Sequence, residues 1–261
     1  MNVDDPGIKI LSVLMCVYAP VWFDAKWQEN ATVWHWGLIP VVISFIIYII
    51  VSFIMFPYDV MISKRYSFQP SSQNVSARKW MQILVHVVVF GYLMCLVPSG
   101  IILGNILYRN RDDGIGCEQY KYGPQMVMLS NFLIFFGMFE IVFFYTHRLA
   151  HHPAIYPKVH KRHHELKSTC AVGALYCSMC EMLFVNALSF AVGFVVTPFR
   201  VTLGTTICWF VLATINVLLS HAGRSIPFLK SSQKHDNHHK YFTCNYGVLG
   251  VMDAIHGTLR K

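Results

Sequence analysis

Residues 147–164 read HRLAHHPAIYPKVHKRHH, six histidines in eighteen residues, directly after the apolar run FLIFFGMFEIVFFY. The whole chain holds 13 histidines, so nearly half fall in this stretch. A second group lies in KHDNHHKYFTCNYG, and His221 follows another apolar run. The spacing repeats. His160, His163 and His164 form HxxHH, His235, His238 and His239 form it again, and His147, His151 and His152 form HxxxHH. On a helix, residues three and four apart share a face, so each HxxHH is expected to aim its imidazoles in one direction. Imidazole suits iron, copper and zinc alike. A zinc ion takes three or four protein ligands, so ten candidate histidines exceed the need of one ion and point to two. The zinc-protease motif HExxH is absent, and His35, His86 and His256 stand outside the pattern.

A histidine-rich metal site beside lipid suits oxidation of an unactivated C–H bond, which demands activated O₂ and hence a redox metal. Two readings compete with an oxygenase: a metal carrier and a non-catalytic metal-binding membrane scaffold. A carrier needs polar ligands at the bilayer midplane, whereas nearly all these histidines fall outside the apolar runs. Within the runs, Glu140 stands out. A carboxylate at that depth is costly without a partner. It precedes His147 by two helical turns and is expected to orient a ligand histidine through its second ring nitrogen. Glu181 and Asp253 are further candidates for that supporting role, and Tyr145 and Thr146 are read as packing.

The elements that must carry these residues follow from composition. Hydrophobic residues make up 55% of the 261 and charged residues 13%, against about 25% charged in an average soluble domain. That deficit excludes a water-soluble globule and indicates an all-α, polytopic membrane bundle of about four to six helices with the histidines in a cap on one face. Runs near 38–57, 81–107, 126–146 and 202–220 are long enough to span a bilayer. The run 181–198 reads as the first arm of a hairpin turning at Pro198. Residues 8–23 read as a short span or an interfacial segment, since the preceding Asp4 and Asp5 disfavour a signal sequence. Pro98 and Gly100 are expected to kink the second run or make it dip and return. The division expected is 1–120 for N-terminal membrane helices and 121–261 for the histidine-bearing domain.

Lys and Arg dominate the segments 58–80, 147–168 and 221–261, whereas 108–125 is balanced. By the positive-inside rule the first three are cytoplasmic, which brings every histidine motif to the cytoplasmic face. The sequon at Asn74 is then cytoplasmic and unmodified, and that at Asn30 lies too close to a span for much use. The eight cysteines are scattered in apolar surroundings and read as small buried hydrophobes; Cys177 and Cys180 lack a second pair for a zinc site. The basic clusters carry no nucleic-acid motif, and lipid headgroups are the expected contact.

The motifs HRLAHH (147–152), HKRHHE (160–165), SHAGRSIP (220–227) and HDNHH (235–239), followed by NYGVLGVMDAIHGT (245–258), resemble in order and spacing the fatty acid hydroxylase superfamily of membrane di-iron enzymes. That family includes sterol C-4 methyl oxidases, sterol C-5 desaturases and fatty acid 2-hydroxylases, and the closing motif is most similar to a branch related to the C-4 methylsterol oxidases. The resemblance covers about 140–258; the first 120 residues match only in hydropathy. It implies two iron ions held by His147, His151 or His152, His160, His163, His164, His221, His235, His238 and His239. It also implies O₂ as cosubstrate, electrons from NAD(P)H through a separate donor such as cytochrome b5 or its reductase, and the endoplasmic reticulum membrane. The implied substrate is a membrane lipid: most similar is sterol C-4 methyl oxidation, with a fatty acyl or sphingolipid chain as the alternative. Two departures stand out. Ser178 occupies a position where many relatives carry histidine, and Lys234 precedes His235 where sterol oxidases often read HHDxHH.

Overall fold

The computed structural model describes residues 31–61, 68–69, 75–109, 124–224 and 231–260. The 8–23 segment, both sequons, the 120/121 division and most of the 108–125 loop lie outside the described residues. Every described element is helical. Five helices are long and apolar enough to cross a membrane: α1 (Val33–Met61), α2 (Ala77–Arg109), α3 (Pro124–Ala150), α4 (Met179–Val196) and α5 (Leu203–Ser220). Two shorter ones, α6 (Ser231–Tyr241) and α7 (Val251–Ile255), follow.

The helix starts are written locally. Ser76 Oγ accepts from Lys79 N, Ser178 Oγ from Glu181 N and Thr202 Oγ1 from Thr205 N, each satisfying an N-terminal amide that the helix itself leaves open. His35, outside the metal pattern, joins Thr32 in a capping arrangement at the start of α1. The α4–α5 turn sits at Pro198, as the sequence suggests, and is clamped to α3: Asn131 Nδ2 donates to Arg200 O at 3.0 Å, and Thr197 Oγ1 donates to Asn131 Oδ1.

The expected break in α2 takes a different form. The helix runs on without dipping back, but widens to π turns over Val87–Leu96, with Val97 N donating to Tyr92 O five residues back. Pro98 has no N–H and crowds the carbonyl a turn upstream, and a wider register upstream accommodates both. Gly100 does not bend the chain. With Gly104 it forms GxxxG, and both glycines lie against Gly37 of α1, where an added Cβ would collide with the backbone of the facing helix. Lipid tails are as apolar as leucine, so close backbone approach is what holds membrane helices together.

The C-terminal ends of α1, α3 and α5 and the N-terminal ends of α2 and α4 meet on one side. Trp80 Nε1 donates to Asp59 Oδ2, Arg224 donates to Tyr58 O, and Phe68 N donates to Gly223 O. All the histidine motifs and α6 lie on this side. A methyl-sized intrusion at the glycine crossing is expected to separate α1 from α2. Gly104→Val should lower the thermal midpoint in detergent, at a cost of about 1–3 kcal/mol. Gly137→Ala, where a Cβ meets nothing within 4 Å, should leave it unchanged.

Candidate metal centre

Nine of the ten candidate histidines converge. His147, His151, His160, His164 and His238 form one group and His163, His221, His235 and His239 a second; in each, one atom per residue lies within 4.8 Å of all the others. The motifs do not each aim one way. The i and i+4 members of 160–164 enter the first group and His163 the second, while His235 and His239 enter the second group and His238 the first. Each HxxHH therefore straddles both groups, and the groups touch: the His164 and His239 rings are 4.4 Å apart between centroids.

The ring nitrogens explain why this arrangement calls for a cation. His147 Nδ1 lies 2.8 Å from Tyr246 O, His238 Nδ1 2.7 Å from Cys244 O, His239 Nδ1 2.9 Å from Leu166 O and His221 Nδ1 2.8 Å from Val217 O. A carbonyl can only accept, so each of these rings carries its proton on Nδ1 and presents a bare Nε2 lone pair. The Nε2 atoms then point at one another. His147 and His164 each lie 3.0 Å from His160, His151 lies 3.1 Å from His238, and His221 lies 2.8 Å from His235. An Nε2 shared between two neighbours, such as that of His160 between His147 and His164, has one hydrogen at most to give, so protons alone leave contacts unsatisfied that a cation among the lone pairs would satisfy. Ligands about 2.1 Å from an ion and at right angles around it are about 3.0 Å apart, so the donor set fits a metal ion in each group.

Burial keeps these rings neutral, as ligands must be. It pulls His221 down to about 4 and, with help from neighbouring His147, His151 down to about 3, from an ordinary 6.5. His160, His163, His164, His235, His238 and His239 are pushed down in the same way, by burial first and by the surrounding imidazoles second.

His152 is excluded from both groups. It follows the end of α3, is exposed, and its Nδ1 accepts from Ala154 N. Glu140 also departs from expectation: it touches no histidine. Its Oε2 accepts from Val248 N and Leu249 N and its Oε1 from Met252 N, which anchors the C-terminal loop to α3. Asp253 grips the same loop, accepting from Tyr246 N at 2.8 Å, Gly247 N at 2.7 Å and Thr258 Oγ1. The two carboxylates thus act on His147 indirectly, by fixing the peptide whose carbonyl it meets. Glu181 alone is in direct contact, with Oε1 2.9 Å from His160 Nδ1, in a geometry short of a linear hydrogen bond.

Ser178 has a defined task in the place of the relatives' histidine. Its hydroxyl donates to Val159 O at 2.7 Å while accepting from Glu181 N, so it ties the residue before His160 to the helix start bearing Glu181. Lys234 reaches Leu249 O at 3.2 Å and braces the C-terminal loop. Sequence reasoning missed Tyr246 and Cys244, which act through backbone carbonyls that any residue offers. It also missed Asp236, whose Oδ1 accepts from Thr169 and whose Oδ2 accepts from Gln69 Nε2, and Phe242, whose ring packs 4.5 Å from His164 and whose backbone has a left-handed φ of 67°. An acidic residue inside HDNHH was the available signal for Asp236.

A helical membrane bundle capped by a nine-histidine, two-group metal site defines a class, and comparison with known proteins gives the family. Residues 132–258, just under half of the chain, match the fatty acid hydroxylase family. It is 43% identical over 174 residues to human fatty acid hydroxylase domain-containing protein 2, covering 67% of this chain and 50% of that one. It is 32% identical over 196 residues to fatty acid hydroxylase ahd1 of Mycosarcoma maydis (74% and 49%) and 26% over 204 residues to chicken methylsterol monooxygenase 1 (75% and 66%). The chain spans about half the length of the first two of these relatives. No solved structure matches it.

Two outcomes test the site. Asp253→Asn should weaken metal affinity by about 10–100-fold, the usual cost of losing a group that orients a ligand, as read by competition with a chelator. For the metal-free protein, the unfolded chain takes up protons below about 6.5 whereas folded His221 and His151 resist until about 4 and 3. The unfolded state binds more protons in that window, so stability is lost as pH falls through it. The thermal midpoint of the chelated protein should drop steadily from pH 7 to pH 4.

Proposed function

We propose that this protein is a di-iron oxygenase that hydroxylates or further oxidises a membrane lipid, with a methylsterol as the leading substrate class. The carrying observation is the meeting of the two histidine groups with an apolar cavity between the membrane helices. The cavity is lined by residues of α1, α2, α3, α4 and α5 together with Leu175. It reaches the centre at two points: Val217, whose carbonyl accepts from His221, and Met182, next to Glu181 at His160.

Nine neutral imidazoles would hold two irons, which when bound supply the activation of O₂ that an unactivated C–H bond requires. The chain's own residues do the rest. Carbonyls of Tyr246, Cys244, Leu166 and Val217 fix the ring orientations, and Glu181 sets that of His160. The apolar walls exclude water and hold one carbon of the lipid toward the centre, a positioning effect worth several kcal/mol of barrier. Electrons come from NAD(P)H through a separate donor such as cytochrome b5, for which the basic face of the chain is suited. The excess of Lys and Arg on the histidine side supports a cytoplasmic orientation, and an endoplasmic reticulum location follows the family resemblance. Sterol-modifying relatives, a methylsterol monooxygenase and a Δ7-sterol 5(6)-desaturase, support a sterol, while the fatty acid hydroxylase ahd1 is the counterpart for an acyl chain.

Elemental analysis of protein purified anaerobically should give close to two irons per chain, lost in the His163→Ala, His164→Ala double variant. Membranes containing the protein and fed labelled methylsterol should yield an oxidised sterol, and the double variant should yield none. Less than one metal per chain would overturn the oxygenase reading in favour of a scaffold.

A further inference from the structure

The cavity is apolar with few exceptions, and its polar residues divide into those already bonded and those open to a ligand. Ser44 Oγ donates to Val41 O, Tyr92 OH to Ser44 O, and Thr214 Oγ1 to Phe210 O. Asn186 differs. Its Nδ2 has only long contacts, 3.4 Å to Glu181 O and 3.9 Å to Cys177 Sγ, and its Oδ1 accepts from no described residue. Exchanging the amide oxygen and nitrogen leaves one of the two unsatisfied either way. A side-chain amide among apolar helices costs free energy unless something completes its hydrogen bonds. Asn186 also sits in the π-helical stretch Met182–Ala187, and such wide turns occur often at functional sites.

Its position is informative. Asn186 lies about 7 Å along α4 from Glu181, at the helical rise, so it faces the cavity roughly one and a half turns from the carboxylate that meets His160. Ser99 of α2 lines the same cavity, and its hydroxyl has no hydrogen-bond partner among the described residues. Its lining along α4 runs from Met182 to Ala191, about 14 Å of helix. At that end Phe190 packs 4.5 Å from Phe210 and 5.7 Å from Trp209.

We infer that Asn186 is the specificity-determining residue of this cavity. It receives the hydroxyl of a lipid alcohol held in the cavity. The inference rests on the lipid-oxygenase reading for the fate of the bound lipid but not for the binding itself. A site built around a hydrogen bond to a substrate hydroxyl rejects the analogue that lacks it, because the half-buried amide is then left unpaired among apolar neighbours.

The test is equilibrium binding to the purified full chain in detergent, using a labelled methylsterol and the same sterol without its ring hydroxyl. Wild-type protein should favour the alcohol by at least about tenfold, an energy of one good hydrogen bond. Asn186→Leu should bind the two equally, keep its affinity for the deoxy sterol and keep wild-type metal content; those retained properties exclude misfolding as the cause. Asn186→Gln should restore part of the preference. An undiminished preference in Asn186→Leu, or none in the wild type, overturns the inference. Turnover separates it from the broader reading. Sterol oxidation that ignores Asn186 would keep the oxygenase and sink this assignment, whereas Asn186-dependent binding without turnover would do the reverse.

Discussion

The structure is organised around a crowding of ring nitrogens. Nine imidazoles are brought to within contact of one another in two neighbouring groups, four of them with Nε2 bare, an arrangement that cations among them would satisfy. Holding them there requires that the rings be turned the right way, and one device is repeated: a backbone carbonyl accepts a hydrogen bond from Nδ1–H, which keeps the proton there and leaves Nε2 bare. Tyr246, Cys244, Leu166 and Val217 each serve one ring. Side-chain hydroxyls and carboxylates serve the backbone in turn. Ser178, Asp236, Glu140 and Asp253 touch the segments that offer or carry these groups, and only Glu181 touches a ligand ring directly.

The membrane helices supply a rigid frame for this centre. Close crossing of α1 and α2 at Gly37, Gly100 and Gly104, and the clamp of Asn131 on the α4–α5 turn, fix the far ends. The near ends then present their termini to the histidine motifs. Between frame and centre lies the cavity. Its walls occupy different helical turns from the ligands, so what is bound and what holds metal are controlled by separate residues of the same helices.

Much of this was legible in the sequence, and the rest was not for identifiable reasons. The apolar runs predict the five spans because a bilayer allows little else, and charge placement predicts which helix ends gather. The histidines of the centre are legible by spacing, with His152 the exception: adjacency to His151 cannot reveal that the chain turns between them at the end of α3. A helical reading of HxxHH hides the straddling of two groups, since His163–Glu165 is a 3₁₀ turn whose geometry separates His163 from His164. The costly burial of Glu140 is legible, yet its partners are amides of Val248, Leu249 and Met252, which no residue type announces. Asn186 is the converse case. Inside an apolar run it reads as an isolated polar residue, and only the cavity gives it a direction.

The carbonyl that fixes His147 belongs to a residue 99 positions further along the chain. A ribosome adding about 5–20 residues per second needs roughly 5–20 s to cover that distance. Throughout that interval α3 is already made while the peptide that decides its last ring's tautomer does not exist. Biogenesis is therefore ordered in time: α3 is made first, and the loop carrying Tyr246 completes the setting of His147 only after the helices between them have been synthesised.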